Sequence, residues 1–140
     1  MKILYVSTSV VPVGGGRYGG IEKLLMDFVE VTAALGHEVT VAAPHGSVVP
    51  EGVALIATVR LPEEQDREDL ALSAYAGRLD EFDVIHDFSH RHHVSMDCVP
   101  HADRACNPTL NMLWDPVVTR YPKAPYNIVC LSEWQAARFR

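Results

Sequence analysis

The sequence STSVVPVGGGRYGGIE, residues 7–22, joins an apolar run to an amphipathic segment and decides the fold. The run before it, residues 3–6, is short and rich in strand formers, as in a strand buried on both faces. A glycine loop that ends at a helix start lets a ligand approach the backbone and offers unpaired N–H groups to an anion such as phosphate. We therefore predict a strand, a ligand-binding glycine loop and a helix; a flexible connection without a ligand is the alternative. The five glycines of the stretch are Gly14, Gly15, Gly16, Gly19 and Gly20.

The residues after the loop predict a helix followed by a second strand. Apolar residues recur at three- and four-residue steps, which places them on one helical face. Gly36 and His37 are a typical helix end, and residues 38–43 form a strand pattern that Pro44 ends. The predicted buried face comprises Ile21, Leu24, Leu25, Phe28, Val31, Thr32 and Leu35.

Strand and helix patterns alternate through the rest of the chain. Further strands are predicted at residues 53–59, 83–88, 108–113 and 127–131, and helices at residues 89–96 and 133–140. The acidic run at residues 63–69 is interpreted as a solvated helix start. Its apolar continuation on one face comprises Leu72, Tyr75, Leu79 and Phe82. This order predicts a Rossmann-like α/β fold, with a mostly parallel sheet, helices on both faces and a ligand cleft at the carboxyl ends of the strands.

Composition excludes several classes of function. The net charge of −6 and the lack of a basic run argue against nucleic-acid binding. No apolar stretch approaches the length of a transmembrane helix, and the N-terminal residues do not resemble a signal peptide. Three cysteines without CxxC spacing fit free thiols in a reducing compartment, so we expect a cytoplasmic protein.

The glycine loop matches two nucleotide-binding motifs poorly. Residues 14–19 formally fit GxGxxG, but seven residues separate them from the first strand, and no acidic residue ends the second strand. A Walker phosphate loop is excluded because no Gly-Lys-Ser/Thr follows the glycines.

Four segments resemble the N-terminal half of group 1 (family 4) glycosyltransferases. They are a long first loop with Gly-Gly-Ile-Glu at residues 19–22, Leu-Gly-His-Glu-Val-Thr-Val at residues 35–41, Phe-Asp-Val-Ile-His at residues 82–86, and the strand with Ser-Glu-Trp at residues 127–134. The resemblance covers nearly the whole chain.

The resemblance implies one half of a GT-B architecture, in which two Rossmann-like domains face each other across a cleft. Residues 1–140 would form the N-terminal, acceptor-side domain, and the C-terminal donor-binding domain would be absent from this chain. Such enzymes transfer a sugar from a nucleotide-sugar donor to a carbohydrate, lipid or small-molecule acceptor, usually with retention. The resemblance implies no cofactor and no metal, and an isolated chain that is inactive.

The resemblance also implies where phosphate binds. Gly19 and Gly20 match the glycine loop that lies near the donor phosphates in the family, with Gly16 and Arg17 as supporting candidates. For Arg17, a solvent-exposed side chain without a partner is the alternative. Glu22 matches the Ile-Glu pair of the family, but a favourable charge in the first helical turn is sufficient to explain it and is preferred over a catalytic role.

Substrate contacts are expected from the later loops. Many relatives carry a histidine after the fifth strand, but alignment on residues 108–113 places Trp114 there, followed by Asp115. Trp114 is either a sugar-stacking wall or ordinary packing. Glu133, at the start of the last predicted helix, lies at the same expected edge, and with His90 these residues are our candidates for substrate binding.

Histidines crowd the end of the predicted fourth strand. His86 and Asp87 are weak catalytic candidates, because histidine can act as a base near neutral pH, but the sequence selects none. The cluster does not follow a known metal-ligand spacing, so no metal is assigned.

Two other functions remain open at this stage. A nicotinamide-dependent oxidoreductase is disfavoured by the long loop and the missing acid. A non-catalytic module that binds a sugar or a partner protein is the stronger alternative, and we expect it to expose an apolar docking patch.

Overall fold

The computed structural model describes residues 1–16, 19–60, 68–94, 98, 101, 104–108, 128–129 and 133. They form six parallel strands in the order β3-β2-β1-β4-β5-β6, with helices on both faces. The α/β Rossmann-like prediction is therefore confirmed. The elements in chain order are β1 Lys2–Val6, α1 Gly20–Ala34, β2 Glu38–Ala43, β3 Ala54–Ala57, α2 Glu68–Tyr75, a 3₁₀ helix Ala76–Glu81, β4 Val84–Asp87, β5 Ala105–Pro108 and β6 Ile128–Val129.

The two faces of the sheet carry separate cores because successive strand residues point to opposite sides. Tyr5 and Val41 pack with Leu25 of α1 on one face. Leu4 and Ile85 pack with Tyr75 of α2 on the other face. The helices of consecutive crossovers therefore lie on opposite sides of the sheet, as in a doubly wound domain.

Helix α1 ends as the sequence predicts. Gly36 adopts a φ of +84°, and its N–H donates to the Ala33 carbonyl, while His37 N–H donates to Thr32. These two bonds form a Schellman motif, which glycine favours because it has no side chain to oppose the left-handed backbone.

The buried face of α1 differs from the prediction. Leu25 and Val29 are fully buried, whereas Val31 is 58% exposed and Leu35 also lies in solvent. The face of α1 that packs against the sheet passes through Leu25 and Val29, which are four residues apart. Val31 is two residues after Val29 and therefore lies on another side of the helix.

The fifth strand begins earlier than predicted. It was expected at residues 108–113, but the described strand is Ala105–Pro108, paired with β4 through Ala105 and Cys106. Pairing with β4, and not the apolar pattern alone, decides where this central strand starts. Residues 109–113 lie outside the described residues.

Other predictions are confirmed within narrower bounds. Strands lie inside the predicted ranges 53–59, 83–88 and 127–131, and His93 and Val94 are helical within the predicted helix at 89–96. After Tyr75 the α-helical pattern tightens into a 3₁₀ helix, in which Leu79 remains buried. Among the described helices, none is both long and apolar enough to cross a membrane.

Candidate functional site

The candidate site lies at the carboxyl edge of the sheet, between β1 and β4. From β1 the chain adds β2 and β3 on one side of the sheet, whereas β4, β5 and β6 lie on the other side. The strand order therefore changes direction between β1 and β4. Val6 pairs with Asp87, and the N–H of Phe88 donates to the Val6 carbonyl at 2.9 Å. Ligands of open parallel sheets bind at such a switch point, so the loops after β1 and β4 are the relevant ones.

The loop after β1 is anchored on the residues that follow β2. Val13 is fully buried; its N–H donates to Ser47 Oγ at 3.0 Å, and its carbonyl accepts from Val48 N–H at 2.9 Å. Ser47 Oγ in turn donates to the Pro44 carbonyl at 2.7 Å. The first part of the glycine loop is therefore fixed by hydrogen bonds to the residues after β2.

Gly14 is required by this anchor. It has a φ of +69°, and a Cβ on it would lie 2.0 Å from the Val48 carbonyl oxygen. Both the left-handed backbone and the close approach exclude a larger residue. Gly14 is thus a structural glycine that brings the loop against the end of β2.

The loop returns to the sheet at Gly19, the residue before α1. Gly19 has an extended backbone, and its carbonyl accepts the first helical hydrogen bond, from Lys23. Among the described residues, no side chain caps the helix start. The first N–H groups of α1 lack acceptors within the helix, as phosphate binding requires. A Cβ on Gly20 would meet nothing within 4 Å, so its surroundings are open.

Glu22 is buried and makes a contact with the end of β1 that the sequence did not predict. Its side chain is buried, with a residue exposure of 7%, and one carboxylate oxygen, Oε1, accepts a hydrogen bond from Thr8 Oγ1. The other oxygen, Oε2, would lie 2.0 Å from a Cβ on Gly19. Gly19 is therefore needed for the close approach of Glu22, and Glu22 ties the start of α1 to the end of β1.

A groove of about 340 Å³ runs beside the start of α1. The three glycines Gly14, Gly16 and Gly19 form its loop side. Its helix side is lined by Glu22, Lys23, Met26, Asp27 and Glu30. Lys23 is paired with Asp27 at 3.0 Å, so Glu22 and Glu30 are the unpaired charges among the described residues that line the groove. Gly16, predicted to bind phosphate, lines this groove with a φ of +72°.

The loop after β4 is organised around Asp87. Asp87 is completely buried, and its Oδ1 accepts from Ser89 N–H at 3.0 Å and from Ser89 Oγ at 2.5 Å. Oδ2 accepts from Val94 N–H at 3.1 Å. Burial raises the pKa of Asp87, while the charge of nearby His92 and these hydrogen bonds oppose the increase. The structure therefore gives Asp87 a clear role in shaping the loop.

Glu68 corrects the interpretation of the acidic run. The run was expected to be solvated, but Glu68 is only 2% exposed and holds the β4 loop. Oε1 accepts from His90 N–H at 2.6 Å, and Oε2 accepts from Arg91 N–H at 2.8 Å. His90 Nδ1 lies 3.2 Å from Oε1. Asp69, the next residue, is exposed as predicted.

The pKa of Glu68 reflects these contacts. Burial alone would raise it, but hydrogen bonds from the side chain and N–H of His90 and from Arg91 N–H outweigh burial and lower it. A carboxylate only accepts hydrogen bonds, so the contact with His90 places a proton on Nδ1. This contact fixes the ring of His90, a predicted substrate-binding residue.

His86 lies within β4, and its ring is part of an aromatic cluster. Its ring packs between Tyr5, at 5.1 Å between ring centroids, and Phe28 of α1, at 5.8 Å. Burial lowers the pKa of His86, and Nδ1 has no hydrogen-bond partner among the described residues. The structure therefore places His86 on the α1 face of the sheet, apart from Asp87, whose carboxylate organises the loop.

The remaining predicted site residues are placed only in part. Glu133 is helical and exposed. Arg17, Trp114 and Asp115 lie outside the described residues. In the part of the chain that the structure describes, no three metal-ligating side chains come together.

Sequence analysis missed Glu68 as a site residue, although the helical period contained a signal for it. Tyr75 and Leu79 lie on the predicted apolar face. Seven residues make about two helical turns, so Glu68, seven residues before Tyr75, lies on the same face. An acidic residue on an apolar stripe is a candidate for burial with hydrogen-bond partners.

Comparisons with known proteins do not identify this chain. No protein-family model matches it, and a search of curated proteins finds no significant match.

Proposed function

We propose that this chain is the acceptor-side, Rossmann-like domain of a retaining glycosyltransferase that uses a nucleotide-sugar donor. The observation that carries the proposal is the course of the β1–α1 loop. A dinucleotide-binding Rossmann unit has a short glycine turn and an acidic residue at the end of its second strand, which binds the ribose. Here Val13 fills the space beside the residues after β2, bonded to Ser47 and Val48.

This arrangement favours a sugar transferase over a nicotinamide-dependent oxidoreductase. The loop after β1 is bonded to the residues after β2, and no acidic residue ends β2 to bind an adenosine ribose. Buried hydroxyl and carboxylate residues follow β1 and end β4 on the two sides of the switch point; they are Ser7, Thr8, Ser9, Asp87 and Ser89, with Glu22 bonded to Thr8. Such groups suit a polyhydroxylated ligand, because each can donate or accept a hydrogen bond.

In the proposed reaction, the bond between the sugar and the diphosphate breaks and a bond from the acceptor hydroxyl to the same sugar carbon forms. The hydroxyl proton passes to the departing phosphate oxygen, so atoms and charge balance. Fixed N–H donors lower the energy of a charge that develops on a leaving group, because they need no reorganisation. The glycine loop and the start of α1 would supply such donors, and a second domain would hold most of the nucleotide.

Calorimetric titration of the two-domain protein with UDP-glucose, GDP-mannose and ADP-glucose tests the proposal, because the second domain would hold most of the nucleotide. Gly20→Ala adds a methyl group where the protein leaves open space, so folding is unaffected and close ligand approach is blocked. We expect binding of the recognised nucleotide sugar to weaken by about tenfold. Gly77→Ala, also in open space but in the 3₁₀ helix, is the matched control and should bind as the unchanged protein does.

Two results would contradict the proposal. Binding of NADH in place of every nucleotide sugar would favour the oxidoreductase. Binding of a free saccharide or a partner protein, with no nucleotide sugar bound, would favour a non-catalytic module.

A further inference from the structure

His92 combines two unfavourable features in the loop after β4. The residue is buried, with an exposure of 3%, and Nδ1 of its ring has no hydrogen-bond partner among the described residues. Its backbone φ is +50°, and among the described residues it is the only one besides glycines with a positive φ. A buried polar atom without a partner and a left-handed backbone both oppose folding, so their combination at one residue requires an explanation.

Two buried carboxylates hold the loop on both sides of His92. Glu68 accepts the N–H groups of the two residues directly before it, at 2.6 and 2.8 Å. Asp87 Oδ2 accepts the N–H of Val94, two residues after it, at 3.1 Å. The surrounding structure therefore fixes the segment that carries His92. Strained residues that are kept in place by their surroundings are concentrated at ligand-binding and active sites.

Ser7 has the same unsatisfied side chain on the other side of the switch point. It directly follows β1, its exposure is 4%, and Oγ has no hydrogen-bond partner in the part of the chain that the structure describes. Val6, the residue before it, pairs with Asp87 at the end of β4. The ends of β1 and β4 are thus neighbours, and the loop after each contains a buried polar group without a partner. Such groups are uncommon in native proteins, and a bound water or ligand satisfies them.

A hydroxyl group fits both of these side chains. A neutral imidazole has one nitrogen that donates and one that accepts, while a hydroxyl group does both. A hydroxyl group can therefore bond to His92 Nδ1 in either tautomer, and also to Ser7 Oγ. A sugar carries several hydroxyl groups on one ring, so a single ligand can supply partners to both loops.

We propose that His92 Nδ1 and Ser7 Oγ are sugar-binding groups at the switch point, and that each forms a hydrogen bond to a hydroxyl group of the ligand. The inference rests on the proposed function and refines it. The diphosphate stays at the glycine loop and the start of α1, while the sugar lies between the loops after β1 and β4. The same chemistry serves the sugar of the donor and the sugar of the acceptor, and the experiment separates these two sources.

Nitrogen NMR of the two-domain protein, labelled with ¹⁵N-histidine, tests the hydrogen bond of His92 directly. The first titration uses UDP-glucose, GDP-mannose or ADP-glucose. The second uses free glucose or mannose in the presence of the matching UDP, GDP or ADP. We expect the Nδ1 resonance of His92 to shift with a sugar and to stay in place with the nucleoside diphosphate alone. A shift in the first titration assigns the donor sugar, and a shift only in the second assigns the acceptor sugar.

Calorimetry on three variants measures the contribution of each group. His92→Gly accepts the positive φ and removes the ring, so we expect sugar binding to weaken by about tenfold. His92→Asn also tolerates this backbone and places an amide atom where Nδ1 lies, so it should restore most of the affinity. Ser7→Ala removes only the unpartnered hydroxyl. It should weaken sugar binding by about threefold without lowering the free energy of unfolding, and it provides a second test if His92→Gly folds poorly.

His45→Gly is the matched control. His45 is an exposed histidine at the same edge of the sheet, after β2 and away from the switch point. The same substitution there should leave the binding of every nucleotide and sugar unchanged.

The possible failures are distinguishable. If nucleotide sugars bind, but neither sugar source shifts Nδ1 and His92→Gly and Ser7→Ala bind sugar normally, the inference is wrong and the proposed function stands. If free glucose or mannose shifts Nδ1 and needs His92, while no nucleotide or nucleotide sugar binds, the sugar site stands without the transferase. If no nucleotide, nucleotide sugar or free sugar binds, both proposals fail.

Discussion

Glu68 offers the sharpest test of how this domain builds its cleft. The carboxylate is buried and accepts the backbone N–H groups of His90 and Arg91 at 2.6 and 2.8 Å. Glu68→Ala removes the carboxylate that accepts from both of these partly buried N–H groups. A hydrogen bond to a charged group contributes about 1.5–3 kcal/mol, so we expect the free energy of unfolding to fall by about 3–5 kcal/mol.

Glu68→Gln should have a smaller effect of about 1.5–3 kcal/mol, because the amide keeps one acceptor oxygen but turns its NH₂ group towards the other donor. Asp69→Ala is the matched control, since Asp69 is the next residue of the same acidic run and is exposed. Exposed substitutions usually change stability by less than about 0.5 kcal/mol.

The pH dependence has a definite sign. The hydrogen bonds lower the pKa of Glu68 in the folded protein, so the unfolded chain binds the proton more readily. This stabilisation is therefore present above the unfolded pKa of about 4.3 and is lost as the pH falls through the folded pKa. The difference in stability between the unchanged protein and Glu68→Gln should be largest near neutral pH and shrink below about pH 4.

Urea unfolding at a series of pH values measures these differences, and hydrogen exchange at His90 and Arg91 reports on the loop directly. We expect exchange at both amides to accelerate in Glu68→Ala and to stay slow in Asp69→Ala. The reasoning is refuted if the two variants lose the same stability, or if the amides of the β4 loop keep their protection without the carboxylate.

Two further predictions concern the loop anchor and the face of α1. Gly14→Ala should lower the free energy of unfolding in urea by about 2 kcal/mol or more, because the backbone is left-handed and a Cβ would collide with Val48 O. Gly15→Ala is the control and should be nearly neutral, since Gly15 lies in open space. Equal effects of the two variants would refute the anchor. Val29→Ala should lower the free energy of unfolding by about 1.5–3 kcal/mol, because Val29 is fully buried. Val31→Ala should leave it almost unchanged, because Val31 is exposed. The reverse order would support the buried face that was predicted from the sequence.

The sequence was sufficient for the elements whose local signals agree with their tertiary environment. Residues 38–43 form a strand at the predicted limits because the apolar run, the preceding glycine and the following proline all favour the same bounds. Gly36 ends α1 because its left-handed conformation is a local property of the backbone. These features need no knowledge of distant contacts.

Local signals were insufficient where a partner distant in the chain decides the outcome. The acidic run around Glu68 looks solvated until the β4 loop, more than twenty residues later, brings two N–H donors to it. Glu22 fits a simple dipole interaction until Thr8, fourteen residues earlier, is seen to bind it. In both cases a tertiary hydrogen bond, and not the residue type, makes burial of the charge favourable.

Glu22 and Glu68 together explain why the cleft can keep its shape without a bound ligand. Each lies in the first turn of a helix at the carboxyl edge of the sheet, but on opposite faces. Glu22 ties the end of β1 to α1, while Glu68 ties the loop after β4 to α2. The two loops that flank the switch point are thus held by different helices, and each helix is fixed by its own core. Preorganised polar groups lower the cost of ordering on binding, so a cleft built in this way favours a ligand that makes many hydrogen bonds, such as a sugar.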